Sequence, residues 1–338
     1  MAGIKTLYDE EGSAEGVLRR LGNSFHDEEQ RAREEAEWCH RNAVEVVTIA
    51  DDRYPHRLRQ CGDAPMALFV RGNADLNARR ILSIVGTRKV TAYGMDAVDA
   101  IVRGLQRQCP DIMIVSGLAY GVDINAHRAA LKNGLPTVGV VAHGQDTLYP
   151  SHHRNEANQM CLNGGAVVTE FPHGTRPLAP YFLQRNRIIA GMADATLVVE
   201  SAQRGGGLAT ARLAQEYDRE VFAVPGSINA EMSAGTNALI RDNRAALVTS
   251  ADDILHAMMW QPATRKAEAI QRNLFPELTP EEQLIVETLA KEDLHANILS
   301  NTLHIPIGQL TATVFALEMK GIIKQLPGNI FHLIPFEN

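Results

Sequence analysis

Short apolar runs alternate with helical patterns through the middle of the chain. Runs rich in Val, Ile, Leu and Ala predict strands, and a glycine-bearing loop and a helix-like stretch follow most of them. The predicted strands cover 81–86, 112–117, 137–144, 166–171, 196–201, 221–226 and 246–250. Apolar residues on both faces are typical of a sheet covered by helices on both sides. The pattern therefore predicts an α/β fold with a doubly wound, mostly parallel sheet.

The two ends of the chain carry different patterns. Residues 13–44 look helical but hold too little apolar surface for an independent domain, so we expect this segment to pack on the region that follows it. In that region, residues 44–49 and 66–72 predict two more strands. Near the C-terminus, three helical stretches (280–291, 294–302, 306–320) precede two strand-like runs around Pro327 and Gly328, the pattern of a winged helix. The predicted boundaries are 1–44, a partial helical segment; 45–260, the sheet domain; 261–280, a linker; and 281–338, the winged helix.

Charge is distributed unevenly along the 338 residues. The net charge is −7, so any nucleic-acid site has to be a local patch. Residues 81–225 carry 13 basic and 12 acidic side chains, whereas 281–338 carry 3 and 7. The predicted recognition helix of the winged helix holds only Glu318 and Lys320 as charged residues. Two roles therefore stay open for the winged helix. One is contact with protein or an accessory role, which the low charge favours, and the other is binding to duplex DNA.

Cysteine usage and hydropathy bear on the compartment. The four cysteines match no metal or redox spacing, and they read as reduced thiols. The N-terminus has no apolar signal region, and no segment reaches membrane-spanning length. We therefore expect a cytoplasmic protein with no membrane partner.

Glycines and arginines gather in the loops that follow the predicted strands. In a doubly wound sheet these loops meet at the carboxyl edge, where ligands bind. Gly205–Gly207 precede a predicted helix and are a candidate phosphate cradle, because glycine amides and a helix N-terminus both attract anions. No Lys-Ser/Thr pair follows them, so this is not an ATP-binding P-loop. The loop SGLAYG at 116–121 also lacks the dinucleotide spacing, and a tight strand-to-helix turn is the alternative interpretation of it.

The stretch YFLQRNRIIAG at 181–191 holds two cations with no acidic neighbour in the sequence. If a helix begins near Phe182, Arg185 and Arg187 lie in or near its first turn, where cations oppose the helix dipole. A bound anion would resolve this conflict. The alternative is a solvated helix end whose arginines pair with carboxylates from elsewhere. At 100° per residue, Arg185 and Asn186 share the apolar face while Arg187 lies outside it, or the reverse if the helix begins later.

Candidate catalytic groups are few. Glu170 and Glu200 end two strands and could act as general bases, although orienting arginines or capping helices is the favoured interpretation. Asp123 begins a helix and reads as an N-cap. His152 and His153 could contact phosphates, although a solvated loop is the favoured interpretation. Nothing in the sequence favours hydrolysis or metal chemistry, so we expect no enzyme activity, no catalytic residue, no metal site and no cofactor.

Six motifs in this order resemble the DprA/Smf family of DNA-processing proteins over roughly residues 45–335. The motifs are SIVGTRKVTAYG, VSGLAYGVDINAHRAAL, GQDTLYPSHHRNEA, TEFPHGTRPLAPYFLQRNRIIAG, LVVESAQRGGGLATARLAQEYDREVFAVPG and AGTNALI. The resemblance implies an extended Rossmann-like domain that binds and protects single-stranded DNA. It also implies a homodimer that loads the RecA recombinase during natural transformation and homologous recombination, with a winged helix in some members.

The resemblance also implies which residues contact DNA. Arg88 is the strongest candidate, and Tyr120, Tyr149 and Phe171 are candidates for base stacking. Together with the loop residues that the sheet brings to its carboxyl edge, the predicted single-stranded-DNA-binding residues are Gly86, Thr87, Arg88, Ser116, Gly117, His173, Arg176, Arg185, Asn186, Arg187, Arg204, Gly205, Gly206 and Gly207.

The chain departs from the family pattern in three places. Its N-terminal helical segment looks like only half of the family's helix-hairpin-helix or SAM-like domain. Leu183-Gln184 stand where the family has Phe-Pro, and Gly205–Gly207 stand where it has Ser-Gly-Ser, which removes a hydroxyl but keeps the amides. Two alternatives stay open. One is a nucleotide-phosphate-binding hydrolase of a related fold, although PGS (225–227) and AGT (234–236) are separated and no acid follows. The other is a duplex-DNA regulator acting through the winged helix.

Overall fold

The computed structural model of the chain describes residues 2–22, 25–260, 278–290, 294–320, 322–326 and 329–333. The chain divides into two compact units, Met1–Thr264 and Arg265–Asn338. Each unit has a hydrophobic core of its own. The N-terminal helical segment belongs to the first unit.

A nine-stranded sheet forms the centre of the first unit. Its strands are β1 (Glu45–Thr48), β2 (Ala67–Gly72), β3 (Arg80–Val85), β4 (Ile112–Ser116), β5 (Thr137–Val140), β6 (Ala166–Thr169), β7 (Ala195–Val198), β8 (Glu220–Ala223) and β9 (Ala246–Leu247). The order is β1-β2-β6-β5-β4-β3-β7-β8-β9. Strands β3 to β9 pair in parallel, and β1 and β2 add an antiparallel edge. The prediction of a mostly parallel, doubly wound sheet is confirmed.

The chain reverses its direction of travel across the sheet at β3. Strands β4, β5 and β6 extend the sheet on one side of β3, and β7, β8 and β9 extend it on the other. The registers Leu82↔Ala195 and Leu82↔Ile114 show β3 bonded to both neighbours. Such a reversal opens a crevice between the loops that leave the two central strands. The loops after β3 and β7 border this crevice.

Helices cover both faces of the sheet. Those of the first unit are α1 (Ala2–Glu11), α2 (Ala14–Leu21), α3 (His26–Arg41), α4 (His56–Arg59), α5 (Ala92–Gln108), α6 (Val122–Lys132), α7 (Arg154–Leu162), α8 (Ala179–Met192), α9 (Gly206–Glu216), α10 (Ala234–Arg241) and α11 (Ala251–Ala257). Because successive strand residues point to opposite faces, Ile84 packs in the core with α5 and Val85 packs in the core with α8 and α9. Burying each such side chain stabilises the fold by about 1.5–3 kcal/mol.

Several predicted boundaries move by a few residues. The strand predicted over 137–144 ends at Val140, because the chain then turns and the Gly144 amide donates to the Thr175 carbonyl at 3.0 Å. Helix α8 begins at Ala179, three residues before the predicted Phe182. Pro180 explains the earlier start, because its fixed φ suits the first turn and its missing N–H costs nothing there.

The N-terminal segment packs on the sheet domain, as expected from its thin apolar surface. Trp38 and Cys39 of α3 form a small core with Val44 and with Phe69 of β2. The segment consists of three helices, α1 to α3. It therefore extends the first unit at the antiparallel edge of the sheet.

The second unit is the predicted winged helix. It comprises α12 (Pro280–Leu289), β10 (Leu294–His295), α13 (Ala296–Leu303), α14 (Ile307–Met319), β11 (Ile323–Leu326) and β12 (Ile330–Leu333), and its strands pair antiparallel in the order β10-β12-β11. Strand β10 begins the stretch that the sequence predicted as helix. Residues 261–277 of the predicted linker and the Pro327-Gly328 turn lie outside the described residues. Within the described ranges, none of the helices combines the length and apolar character needed to cross a membrane.

Candidate functional site

A cavity of about 670 Å³ lies at the crevice between β3 and β7. Its walls come from the loop after β3, the first half of α8, and the loop that joins β7 to α9. Nine of the fourteen predicted single-stranded-DNA-binding residues line it. They are Gly86, Thr87, Arg88, Arg185, Asn186, Arg204, Gly205, Gly206 and Gly207.

Two exposed arginines line this cavity. Arg88 follows β3, and its guanidinium carbon lies 5.3 Å from the ring centroid of Phe182 on α8. Arg204 comes from the loop before α9. Neither guanidinium forms an ion pair with any residue that the structure describes. Both charges are therefore available to an anion in the cavity.

The N-terminus of α9 also faces the cavity. Gly205 is its N-cap and supplies no side-chain hydrogen bond, and the helix begins at Gly206. The first amides of a helix have no intrahelical partner and carry partial positive charge. The third glycine is needed for a different reason, since a Cβ on Gly207 would lie 3.0 Å from the Cα of Gly86. The glycine run thus brings free amides to the cavity and lets the two loops meet.

Arg185 is buried in the wall of the cavity. One of its Nη atoms donates to the Gly117 carbonyl at 2.6 Å and also to the Val140 carbonyl. Its Nε has no hydrogen-bond partner within the described residues. Burial lowers the pKa of Arg185 to about 10, and nearby Asp123 opposes that shift. The side chain therefore stays charged at neutral pH and ties the ends of β4 and β5 to α8.

Asp123 lies beside this guanidinium, and its predicted role as an N-cap is wrong. The N-cap of α6 is Gly121, whose φ of 79° suits glycine and whose Cβ would lie 2.1 Å from the Thr87 carbonyl oxygen. Asp123 instead accepts the Gly117 amide at 3.2 Å, outside its own helix. Burial raises its pKa, and the charge of Arg185 acts against this. Its carboxylate thus braces the loop after β4.

Arg187 does not reach outward, in contrast to the prediction from the helical wheel. Its side chain is buried, bonds to Glu170, and donates to the Asp63 carbonyl at 2.7 Å. Because α8 begins at Ala179, Arg185 and Arg187 lie beyond the first turn, and the predicted conflict with the helix dipole does not arise. Arg187 therefore pairs with a carboxylate from elsewhere in the chain, as the alternative interpretation stated. That interpretation also expected a solvated helix end, and this part is wrong because the Arg187 side chain is buried.

Five residues of the predicted set are not part of the cavity wall. Ser116 is buried and donates to the Ile84 carbonyl at 2.6 Å, and Gly117 lies beneath Arg185. His173 bonds to Glu35 at 2.5 Å and stacks on Trp38 with ring centroids 4.9 Å apart. Arg176 is exposed in the loop before α8. The fifth is Arg187, described above.

Several cavity residues were missed by the sequence reasoning. Phe182, Leu183 and Ser201 line the cavity, as does Tyr149, which was named only as a stacking candidate. Tyr149 and Phe182 meet edge to face with centroids 5.8 Å apart. The signal for Phe182 was its position in the arginine-bearing stretch. Phe171, another stacking candidate, is only 8% exposed and packs on Tyr181, so it presents no open ring face.

The acidic strand ends and one of the two histidines have structural roles. Glu200 accepts the amide and the hydroxyl of Thr91 at 2.8 and 2.6 Å, which anchors the start of α5. With Glu170 bonded to Arg187, the favoured interpretation of both acids agrees with their contacts. His153 is buried and bonds to the Leu118 carbonyl, so only His152 of the predicted solvated pair is exposed.

Comparison with known proteins gives a consistent assignment. Residues 45–259 match the family model "DNA recombination-mediator protein A", and residues 271–329 match "DprA winged helix domain". DNA processing protein DprA of Streptococcus pneumoniae is 40% identical over 62% of this chain and 72% of its own length. Protein Smf of Escherichia coli is 32% identical over 88% of this chain and 79% of its own.

A solved structure extends the likeness to three dimensions. The structure of DNA processing protein A from Helicobacter pylori, which concerns its unique single-stranded DNA binding mode, is similar with a TM-score of 0.58 and 26% identity. The match covers 65% of this chain and 98% of that one. With its parallel sheet, its winged helix and these relatives, the chain belongs to the DNA recombination-mediator protein A family, also known as DprA/Smf.

Proposed function

We propose that the cavity between β3 and β7 binds the sugar–phosphate backbone of single-stranded DNA. The observation that carries this proposal is a pair of exposed arginines, Arg88 and Arg204, that have no ion-pair partner among the described residues and line the same cavity as the glycine-led N-terminus of α9. Arginine forks and free helix amides are the donors that phosphate oxygens prefer. The Helicobacter pylori relative, described as a single-stranded-DNA binder, supports the same ligand class.

The protein acts in this proposal by binding, without catalysis. A hydrolase would need an acid or base free to act inside the cavity. Glu170 and Glu200 are held by bonds to Arg187 and Thr91. Asp123 lines the cavity but is buried and accepts backbone amides. These contacts argue against the alternative of a nucleotide hydrolase.

The winged helix is assigned no duplex-binding role. Its helix α14 carries Glu318 as its single charged side chain, and the neighbouring Lys320 pairs with Glu282 at 2.7 Å. Duplex binding depends on cations that neutralise phosphates. The exposed side chains of Ile307 and Phe315 on α14 suit contact with protein better than contact with phosphate.

The wider role follows from the family. We propose that the chain protects single-stranded DNA as a homodimer and loads RecA recombinase onto it during transformation and recombination. Membership in a family of recombination mediators supports this role. A strand held through its phosphates leaves bases accessible to a recombinase, which fits a loading step.

Removing single cations tests the DNA site. Arg88→Ala and Arg204→Ala are each expected to weaken binding to oligo-dT several-fold, because each loses a phosphate contact while the fold is left intact. Arg185→Ala is also expected to weaken binding, but it leaves a buried gap, so its unfolding curve is measured alongside. Binding is followed by gel-shift titration.

The matched control is Arg212→Ala. Arg212 is 67% exposed on the same helix, α9, and its partner Glu216 lies on that helix too. It does not line the cavity. Wild-type affinity of both Arg88→Ala and Arg204→Ala, or an equal loss in Arg212→Ala, contradicts the assignment.

A further inference from the structure

Helix α3 of the N-terminal segment contacts the loop before α8 (residues 172–178). The Glu35 carboxylate accepts two hydrogen bonds from His173, one from its backbone amide at 2.9 Å and one from its Nδ1 at 2.5 Å. The His173 ring also stacks on Trp38, with an angle of 5° between the ring planes. The Glu35 side chain is only 14% exposed, so water competes little for its oxygens. A residue held by its backbone, its ring nitrogen and its ring face fixes the loop that carries it.

The loop before α8 is bonded in turn to the loop after β5 (residues 141–150). The Gly174 amide donates to Asp146 Oδ1 at 2.7 Å. In the opposite direction, the Gly144 amide donates to the Thr175 carbonyl at 3.0 Å. Because hydrogen bonds run both ways between the two loops, a displacement of one loop displaces the other.

Both loops reach the wall of the cavity. Pro177 lines it from the loop before α8, and Tyr149 lines it from the loop after β5. Arg176, which was predicted to bind DNA, is exposed beside Pro177. Helix α3 contributes none of its described residues to the cavity wall. The contacts of α3 with His173 therefore bear on the cavity through the loops.

Attachment of α3 to the sheet does not require the His173 contacts. Trp38 and Cys39 already pack in a small core with Val44 and with Phe69 of β2. Glu35 lies outside that core and directs its carboxylate to the loop. Its contacts thus position the loop rather than attach the helix.

We propose that the N-terminal helical segment positions the DNA site, with Glu35 and Trp38 holding the loop before α8 through His173 in the conformation that binds a strand. This inference rests on the proposed binding of single-stranded DNA. Glu35 is an anion and gains nothing from contact with phosphate, so any contribution that it makes to affinity is indirect. His173 is likewise a positioning residue, because its Nδ1 is already bonded to Glu35.

Two neighbouring glutamates on α3 give a matched test. Glu34 is exposed and accepts a hydrogen bond from Gln30 of the same helix at 2.8 Å. Glu35→Ala and Glu34→Ala each remove one negative charge, so electrostatics alone predicts DNA binding at least as tight as that of wild type in both. The positioning role predicts that Glu35→Ala alone binds oligo-dT about three- to tenfold more weakly. Fluorescence anisotropy gives each Kd, and thermal unfolding checks that both variants are folded.

A double-mutant cycle separates positioning from direct contact. If His173 acts by holding the loop through Glu35, His173→Ala is expected to lose affinity to the same extent as Glu35→Ala. The double variant is then expected to lose no more than either single variant, because both substitutions break one contact. Additive losses mean that His173 contacts DNA independently of Glu35, and they overturn the proposal.

Hydrogen exchange in the unaltered protein tests the same coupling without a substitution. Because coupling between two sites is reciprocal, bound oligo-dT is expected to slow amide exchange in α3. Unchanged exchange in α3 at saturating oligo-dT, or equal affinity of Glu35→Ala and Glu34→Ala, overturns the positioning role but leaves the DNA site standing. If the wild-type protein does not bind oligo-dT, the proposed function itself fails.

Discussion

The cations around the cavity differ in what surrounds each guanidinium. Arg88 and Arg204 are exposed and have no acidic partner within the described part of the chain, so a phosphate can bind them at little cost in desolvation. Arg185 and Arg187 are buried, and they donate to carbonyl oxygens or to a carboxylate. Buried, hydrogen-bonded arginines hold the surrounding loops in place. We therefore expect substitutions in the first pair to affect binding and those in the second pair to affect stability first.

The buried ion pair gives a stability prediction. Arg187→Ala leaves the Glu170 carboxylate buried and uncompensated, so we expect the free energy of unfolding to fall by about 3–5 kcal/mol. Urea denaturation followed by circular dichroism measures the change. The double variant Arg187→Met, Glu170→Gln is expected to recover part of the loss, because it removes both charges. A loss below about 1 kcal/mol in Arg187→Ala means that the pair is not structurally important.

His127 gives a prediction about acid sensitivity. It is fully buried, its Nδ1 bonds to Thr137 Oγ1 at 2.7 Å, and burial lowers its pKa from 6.5 to about 3. Between these values the unfolded chain binds a proton that the folded chain does not, so stability falls as the pH falls from about 6.5 towards 3. The slope from this group is at most about 1.4 kcal/mol per pH unit.

Replacing this histidine tests that linkage. His127→Gln keeps a hydrogen-bonding group near Thr137 but cannot titrate, so its unfolding free energy is expected to vary less between about pH 6 and 4 than that of wild type. Some acid sensitivity remains, because burial also lowers the pKa of His143. Exposed His256→Gln is the control and is expected to keep the wild-type slope. A His127→Gln slope as steep as wild type contradicts the assignment.

At the scale of elements, the site depends on the close approach of the loop after β3 to the start of α9. Gly207 allows this approach, because a methyl group there would lie 3.0 Å from the Gly86 backbone. A methyl group on Gly206 would meet no atom within 4 Å. The two neighbouring glycines therefore form a matched pair in the same helix turn.

Alanine substitution separates their roles. Gly207→Ala is expected to lower stability by about 1–3 kcal/mol through overpacking and to weaken oligo-dT binding by moving the two loops apart. Gly206→Ala is expected to leave stability unchanged or raise it by up to about 1 kcal/mol, because alanine favours the helix. Thermal unfolding and anisotropy give both quantities. If the two variants behave alike, close loop packing is not a requirement of the site.

The elements themselves could be predicted from the sequence because their signals are local. Apolar runs and glycine loops predicted the sheet, and helix α5 falls where its pattern indicated. The pairing of Arg187 with Glu170 could not be read, because it depends on how α8 lies against β6. For the same reason Asp123 was predicted to cap its own helix, whereas its carboxylate accepts the amide of Gly117 at the end of β4. The rule that ligands bind at the carboxyl ends of parallel strands placed the cavity loops on one edge, and the family resemblance favoured their arginines as DNA contacts.

At the scale of the whole molecule, the site is a positive patch on an acidic protein. The chain carries a net charge of −7, yet two exposed arginines and a helix N-terminus converge on one cavity. General repulsion of nucleic acid combined with local attraction favours binding at one place rather than along the surface. The second unit adds acidic charge and has a separate core, so we assign the proposed phosphate contacts to the first unit.

The salt dependence of binding tests the phosphate site most directly. The affinity of the full chain for oligo-dT is measured over a range of salt concentrations for wild type and for the double variant Arg88→Ala, Arg204→Ala. Each lost single-strand phosphate contact lowers the slope of log K against log salt by about 0.7, so we predict a slope smaller by about 1.4. The double variant Arg212→Ala, Arg244→Ala removes two exposed arginines elsewhere and is expected to keep the wild-type slope. An unchanged slope in the Arg88, Arg204 variant would contradict the assignment of this cavity as the DNA site.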